Sequence, residues 1–95
     1  MYNIFMDFEW DDSKNALNIN KHGISFYEAQ DAFFDENKVT ILDKTHSLTE
    51  KRYYCIGKIP SGGIVTVRFT NRNGRIRIIG AGYWRKGTKI YEQNN

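Results

Sequence analysis

The chain has 95 residues, 40% of them hydrophobic and 15% aromatic, with a formal net charge of +3. A chain of this length buries only about two thirds of its unfolded surface, so residues 1–95 read as one small folded domain rather than two domains or a disordered tail. Cys55 is the lone cysteine, which excludes an internal disulfide; no apolar run is long enough to cross a bilayer, and Met1 to Asp7 lack a basic leader pattern. The expectation is a cytoplasmic protein with no membrane partner.

In chain order, Phe8 to Asp11 alternate apolar and acidic residues, as a strand with one buried face does, so Phe8 and Trp10 are assigned to the core. Asp11, Asp12 and Ser13 can cap a helix and Gly23 can close one, which predicts a helix over about Asp12 to His22. Ser25 and Glu28 then stand in capping-box spacing, with Ile24 and Ala29 placed as a hydrophobic staple. The second helix is expected from Phe26 to about Phe34, with Phe26, Ala29 and Phe33 on one core-facing stripe.

Strands are predicted at Lys38 to Leu42, Arg52 to Ile59, Ile64 to Thr70 and Arg75 to Ala81, separated by polar or glycine-rich turns. Asn73-Gly74 is the pair that a type I′ hairpin requires, so the last two strands should be antiparallel neighbours. Alternation puts Val65, Val67 and Phe69 on one face, and Arg68 with at least one of Arg75 and Arg77 on the other. Tyr83 to Tyr91 reads as a short third helix interrupted by Gly87, which costs about 1 kcal/mol relative to Ala. The expected fold class is therefore α+β: two N-terminal helices, an antiparallel sheet meander and a short C-terminal helix.

Charge is segregated along the chain. Residues 1–50 hold four Lys/Arg against ten Asp/Glu, whereas residues 51–95 hold ten Lys/Arg against Glu92 alone. Seven of those ten cations fall between Arg68 and Lys89, as a face that meets a phosphate backbone requires, though a plainly solvated charged face has the same composition.

The stretches Phe8-Glu9-Trp10-Asp11, Lys21-His22-Gly23-Ile24-Ser25-Phe26, Thr49-Glu50-Lys51-Arg52 and Arg75-Ile76-Arg77-Ile78-Ile79 resemble the BrnT family of type II toxin–antitoxin toxins. The resemblance spans Phe8 to Glu92, and the block around His22 is its most specific part. It implies a small ribonuclease of RelE-like fold, held inactive by a BrnA-like antitoxin in a hetero-oligomer. The chain departs from the family where Gly80-Ala81-Gly82 stands in place of Ser-Ala-Arg, which moves the work of that arginine to Arg85 or Lys86.

Neither zinc-type spacing nor a glycine-rich phosphate loop is present, so no metal or nucleotide cofactor is expected. Metal-free RNA cleavage needs a base for the ribose 2′-OH, cations for the transition-state phosphate and an acid for the leaving oxygen. Arg68, Arg75, Arg77, Arg85 and Lys86 are the candidate cations, with Lys21 at the helix corner, and each can equally be a solubilising surface residue. His22 is either the base or a helix C-terminal histidine that satisfies free carbonyls. Glu50 and Arg52, two apart, form either a base and clamp or, by preference, an ion pair. Tyr83 stacks a base or donates a proton, or else anchors the chain end; His46, in a polar loop, is read as exposed and silent. A non-catalytic module holding nucleic acid or an acidic protein on the Arg-rich sheet face is the alternative, and a decayed toxin that co-regulates its operon a third.

Overall fold

The first helix begins and ends where its caps dictate. In the computed structural model, which describes residues 6–95, α1 spans Asp12–His22; the Asp11 carboxylate accepts from the backbone N–H of Ser13 at 2.9 Å and of Lys14 at 3.1 Å. At its other end Gly23 takes φ 68°, and its N–H reaches Ile19 O at 2.9 Å. The leader reading over Met1 to Asp7 lies, up to residue 5, outside the described residues.

The Ser25–Glu28 capping box opens α2, Phe26–Ala29, but the expected second helix is α-helical for one turn only. It continues as a 3₁₀ segment, Gln30–Phe34, packed so closely on the sheet that a Cβ on Gly57 would lie 2.5 Å from Ala32 O. Side-chain periodicity carries no trace of that backbone approach.

Five strands follow the order β1-β5-β4-β3-β2: β1 Phe8–Glu9, β2 Val39–Leu42, β3 Arg52–Lys58, β4 Ile64–Arg72 and β5 Arg75–Gly82. From β2 to β5 the sheet is the expected antiparallel meander, and Asn73 (φ 52°) and Gly74 (φ 77°) make its last hairpin. β1 corrects that picture: it pairs parallel to β5, so the sheet is mixed. Alternation announced the strand but carries no direction; the return through α1 and α2 sets it. A bulge pairs Arg68 with Gly80 but Phe69 with Ile78, leaving Ile79 as the extra residue. Ile78 and Ala81, three apart, can therefore both reach the core.

That core lies between Ile24, α2 and the 3₁₀ segment on one side and Cys55, Val65, Val67, Phe69, Ile78 and Ala81 of the sheet on the other. Phe26 is wholly buried and meets Trp10 edge-on, Phe33 meets Phe69 with centroids 5.0 Å apart, and Phe8 packs on Phe33. Each such side chain contributes about 1.5–3 kcal/mol. Burial pushes the Cys55 thiol up to about 12, so it behaves as an inert packing group. The buried Asn18 amide donates to Ile24 O and Ala81 O and accepts from Ala81 N, tying α1 to β5.

The third helix, α3 (Arg85–Gln93), covers part of the opposite sheet face. Gly87 does not interrupt it, contrary to the expectation from helix propensity. A Cβ there would collide with Thr66 Oγ1, so the glycine lets the helix backbone settle directly on β4. Tyr91 Oη donates to Asp35 Oδ2 at 2.6 Å, fixing the far end of the helix. Among the described residues no helix is long and apolar enough to cross a membrane.

Candidate functional site

The strand register assembles the arginines. Cross-strand rows Tyr54–Arg68–Gly80, Arg52–Thr70–Arg77 and Arg72–Arg75 all lie on the face opposite Val65, Val67 and Phe69. Most of these cations are already paired. Arg77 Nη1 contacts Glu9 at 3.0 Å, Arg75 reaches the same carboxylate at 3.6 Å, and Arg72 meets Glu50 at 2.9 Å. The Glu50–Arg52 ion pair is thus replaced by Glu50–Arg72. Arg52 pairs with Thr70, and continuing that antiparallel register sets residue 50 opposite residue 72. Arg52 is half-buried, and its Nε has no hydrogen-bond partner.

Beside α3 the same face opens into a cleft of about 590 Å³. Ile56 and Thr66 line it from the sheet, Tyr54 and Arg68 continue that surface, and Trp84, Lys86, Gly87 and Ile90 line it from the last strand's exit and α3. The segment Asp43–Thr45 closes another side. Gly80, the cross-strand partner of Arg68, adds no bulk: a Cβ there would meet nothing within 4 Å. α3 starts without a side-chain cap, so the positive end of its peptide dipoles adds to Lys86 at the rim.

Asp43 organises the cleft's polar side. It caps the 3₁₀ turn Lys44–His46 by accepting from Thr45 N, its Oδ2 lies 2.9 Å from His46 Nδ1, and Arg68 Nε approaches the same oxygen at 3.8 Å. Burial alone would raise the Asp43 carboxyl, but hydrogen bonds from His46 and Tyr54 and the nearby histidine hold it below the usual carboxylate value. An ionised Asp43 requires the proton of neutral His46 on Nδ1, leaving Nε2 as the acceptor. Asp43 is 4% exposed, whereas the His46 side chain is 48% exposed. The loop is held in place by Ser47 Oγ, which donates to Asp43 O and accepts from Arg52 N at 3.0 Å.

Arg68 differs from Arg72, Arg75 and Arg77. Its guanidinium lies 5.6 Å from the Tyr54 ring centroid, Nη2 donates to Tyr54 Oη across a long 3.4 Å, and Nε has no hydrogen-bond partner. Such a group has unused donors for an incoming anion.

Of the residues singled out in the sequence, the cleft gathers Arg68 and Lys86. Arg52, Arg75, Arg77 and Glu50 belong to the adjoining part of the same face, with Arg72, which the sequence did not single out. His22 is exposed at the end of α1, its ring edge-on to Trp84 with centroids 5.2 Å apart; Lys21 beside it is exposed, as is Arg85 on the first turn of α3. Tyr83 packs on the β3–β4 turn, where a Cβ on Gly63 would lie 2.9 Å from its ring. His46 is exposed, as expected, and its ring is bonded to Asp43; Asp43, Tyr54 and Trp84 went unmarked as candidate site residues. The only available sequence signal was Asp43 at the start of a polar loop, where an aspartate can cap the backbone two residues on, with His46 three positions away.

The fold and cleft define first a class: a mixed-sheet α+β protein with an arginine-bearing face and a histidine–aspartate pair at its edge. The family model described as "Ribonuclease toxin, BrnT, of type II toxin-antitoxin system" matches residues 10–87, and the chain belongs to that family. The 1.1 Å crystal structure of the Brucella abortus ribonuclease toxin, BrnT, superposes with a TM-score of 0.66 at 22% sequence identity, over 84% of this chain and 97% of that one. The two share a fold. No curated protein sequence matches the chain. Membership of a type II toxin–antitoxin family implies an antitoxin partner.

Proposed function

We propose that this protein is a toxin of RelE-like fold that acts in the cytoplasm as a metal-independent endoribonuclease, cutting RNA to arrest translation until a BrnA-like antitoxin neutralises it. The observation that carries the reading is the Asp43–His46 pair beside the under-bonded Arg68. His46 Nε2 takes the proton of a ribose 2′-OH while Asp43 holds the ring and balances the imidazolium that forms. The 2′-oxygen attacks phosphorus, Arg68 stabilises the added charge, and Lys86 gives a proton to the departing 5′-oxygen. The products are a 2′,3′-cyclic phosphate and a 5′-hydroxyl. Arg52, Arg75 and Arg77 continue the phosphate path along the sheet, with Lys21 and Arg85 at its margins. In this scheme Glu50 orders Arg72, and His22 acts on the cleft through Trp84.

Incubating the purified chain with a long mixed-sequence RNA in EDTA tests the reading. The expected result is fragments ending in cyclic phosphate, absent with His46→Ala. Intact RNA with salt-sensitive binding would overturn it in favour of a passive binding module.

A further inference from the structure

We infer that Trp84 is a nucleobase-stacking residue, which makes an unpaired segment of RNA the substrate class of the cleft. The inference rests on the ribonuclease reading for its setting but is carried by a separate set of contacts. The indole is built into place from two sides. A Cβ on Gly82 would lie 3.0 Å from three atoms of its six-membered ring, so the ring lies across bare β5 backbone, and the His22 ring packs edge-on at 5.2 Å. Despite that support Trp84 remains 39% exposed, and it lines the same cleft as Arg68 and Lys86. An immobilised indole gives up little side-chain entropy when a ligand covers its free surface.

Charge and shape together select the occupant. A nucleotide presents a flat apolar base beside an anionic phosphate, and the cleft presents a flat aromatic group beside three cations, Lys44, Arg68 and Lys86. Both faces of a base are already covered within a duplex, so only an unpaired base can meet the indole. Gly82 is what permits this: a side chain at that position would need the space the indole occupies.

The experiment uses a 2′-O-methyl trinucleotide, which cannot be cleaved, beside an abasic trimer of the same charge, with Trp10→Phe leaving Trp84 as the single tryptophan, excited selectively over the tyrosines. The base-containing trimer should quench Trp84 emission and the abasic one should not. In the otherwise native chain, titration with dye-labelled trimers should show Trp84→Ala weakening the base-containing ligand by about tenfold, leaving the abasic one unchanged, with Trp84→Phe recovering most of the loss. Equal affinity of wild type and Trp84→Ala for both trimers overturns the inference, as does equal binding of a duplex. Base-dependent binding without any cleavage of ordinary RNA would retain Trp84 as a stacking residue and reject the ribonuclease reading; cleavage without base dependence would do the reverse.

Discussion

The two ends of one sheet face treat the same residue type differently. At the hairpin end, Arg72, Arg75 and Arg77 contact Glu50 or Glu9 within 3.6 Å, whereas at the α3 end Arg68 keeps a buried Nε without a hydrogen-bond partner and sits 3.8 Å from Asp43. An arginine in a short carboxylate pair must give up that pair to hold a phosphate; one that is positioned but under-bonded has less to give up. The contrast separates cations that shape the face from a cation available for chemistry, although all lie on the same face of the sheet.

The widest separation is expected in turnover. His46→Ala and Arg68→Ala should each lower RNA cleavage by about 10²–10⁴-fold, while Arg77→Ala and Arg72→Ala change it by about tenfold or less, measured as single-turnover rates on one RNA. Losses of equal size at the two ends would erase the distinction. Gly87→Val attacks the wall of the cleft, since its Cβ collides with Thr66 Oγ1; urea unfolding should show a loss of about 1–3 kcal/mol, with cleavage reduced in the protein that remains folded.

Acid should discriminate next. The folded-state Asp43 carboxyl lies below its ordinary value of 3.8, so its contribution to stability is present above that pH and is lost as pH falls through the lower folded value. Asp43→Asn should therefore be less stable than wild type at neutral pH, with the gap closing below about pH 4 in thermal melts. A gap that stays constant with pH would mean that the carboxylate is not held in its charged form. The smallest effect belongs to the paired end: Glu9→Gln frees Arg75 and Arg77 and should tighten RNA binding by a few fold with a steeper salt dependence, read by filter binding at two ionic strengths.

Much of the frame was legible in short windows. The caps of α1, the Ser25–Glu28 box and the Asn73-Gly74 turn each depend on residues within four positions of one another, so local chemistry suffices to place them. The Arg68 side of β4 followed from alternation. Three other features were hidden because their partners are remote. Nothing near Glu50 names Arg72, nothing near Gly87 names Thr66, and nothing near Asn18 names Ala81. His46 read as a loop residue because its meaning depends on the shared Asp43 oxygen and on an arginine from another strand.

By itself, the sequence determined where α1 starts and stops and where α2 starts, which hairpin closes the sheet, which side chains are apolar enough to form the core, and that the cations gather in the second half. These follow from backbone capping, positive-φ turns and two-residue alternation, all of which act over a few residues. Only the tertiary structure decided that β1 runs parallel to β5, that α3 seats on Thr66 through a glycine, and that Arg68 approaches, at the cleft, the Asp43 carboxylate that also bonds His46. Those outcomes depend on which distant segments come within a few ångströms, and that is set by strand register and by the packing of helices on two faces of one sheet.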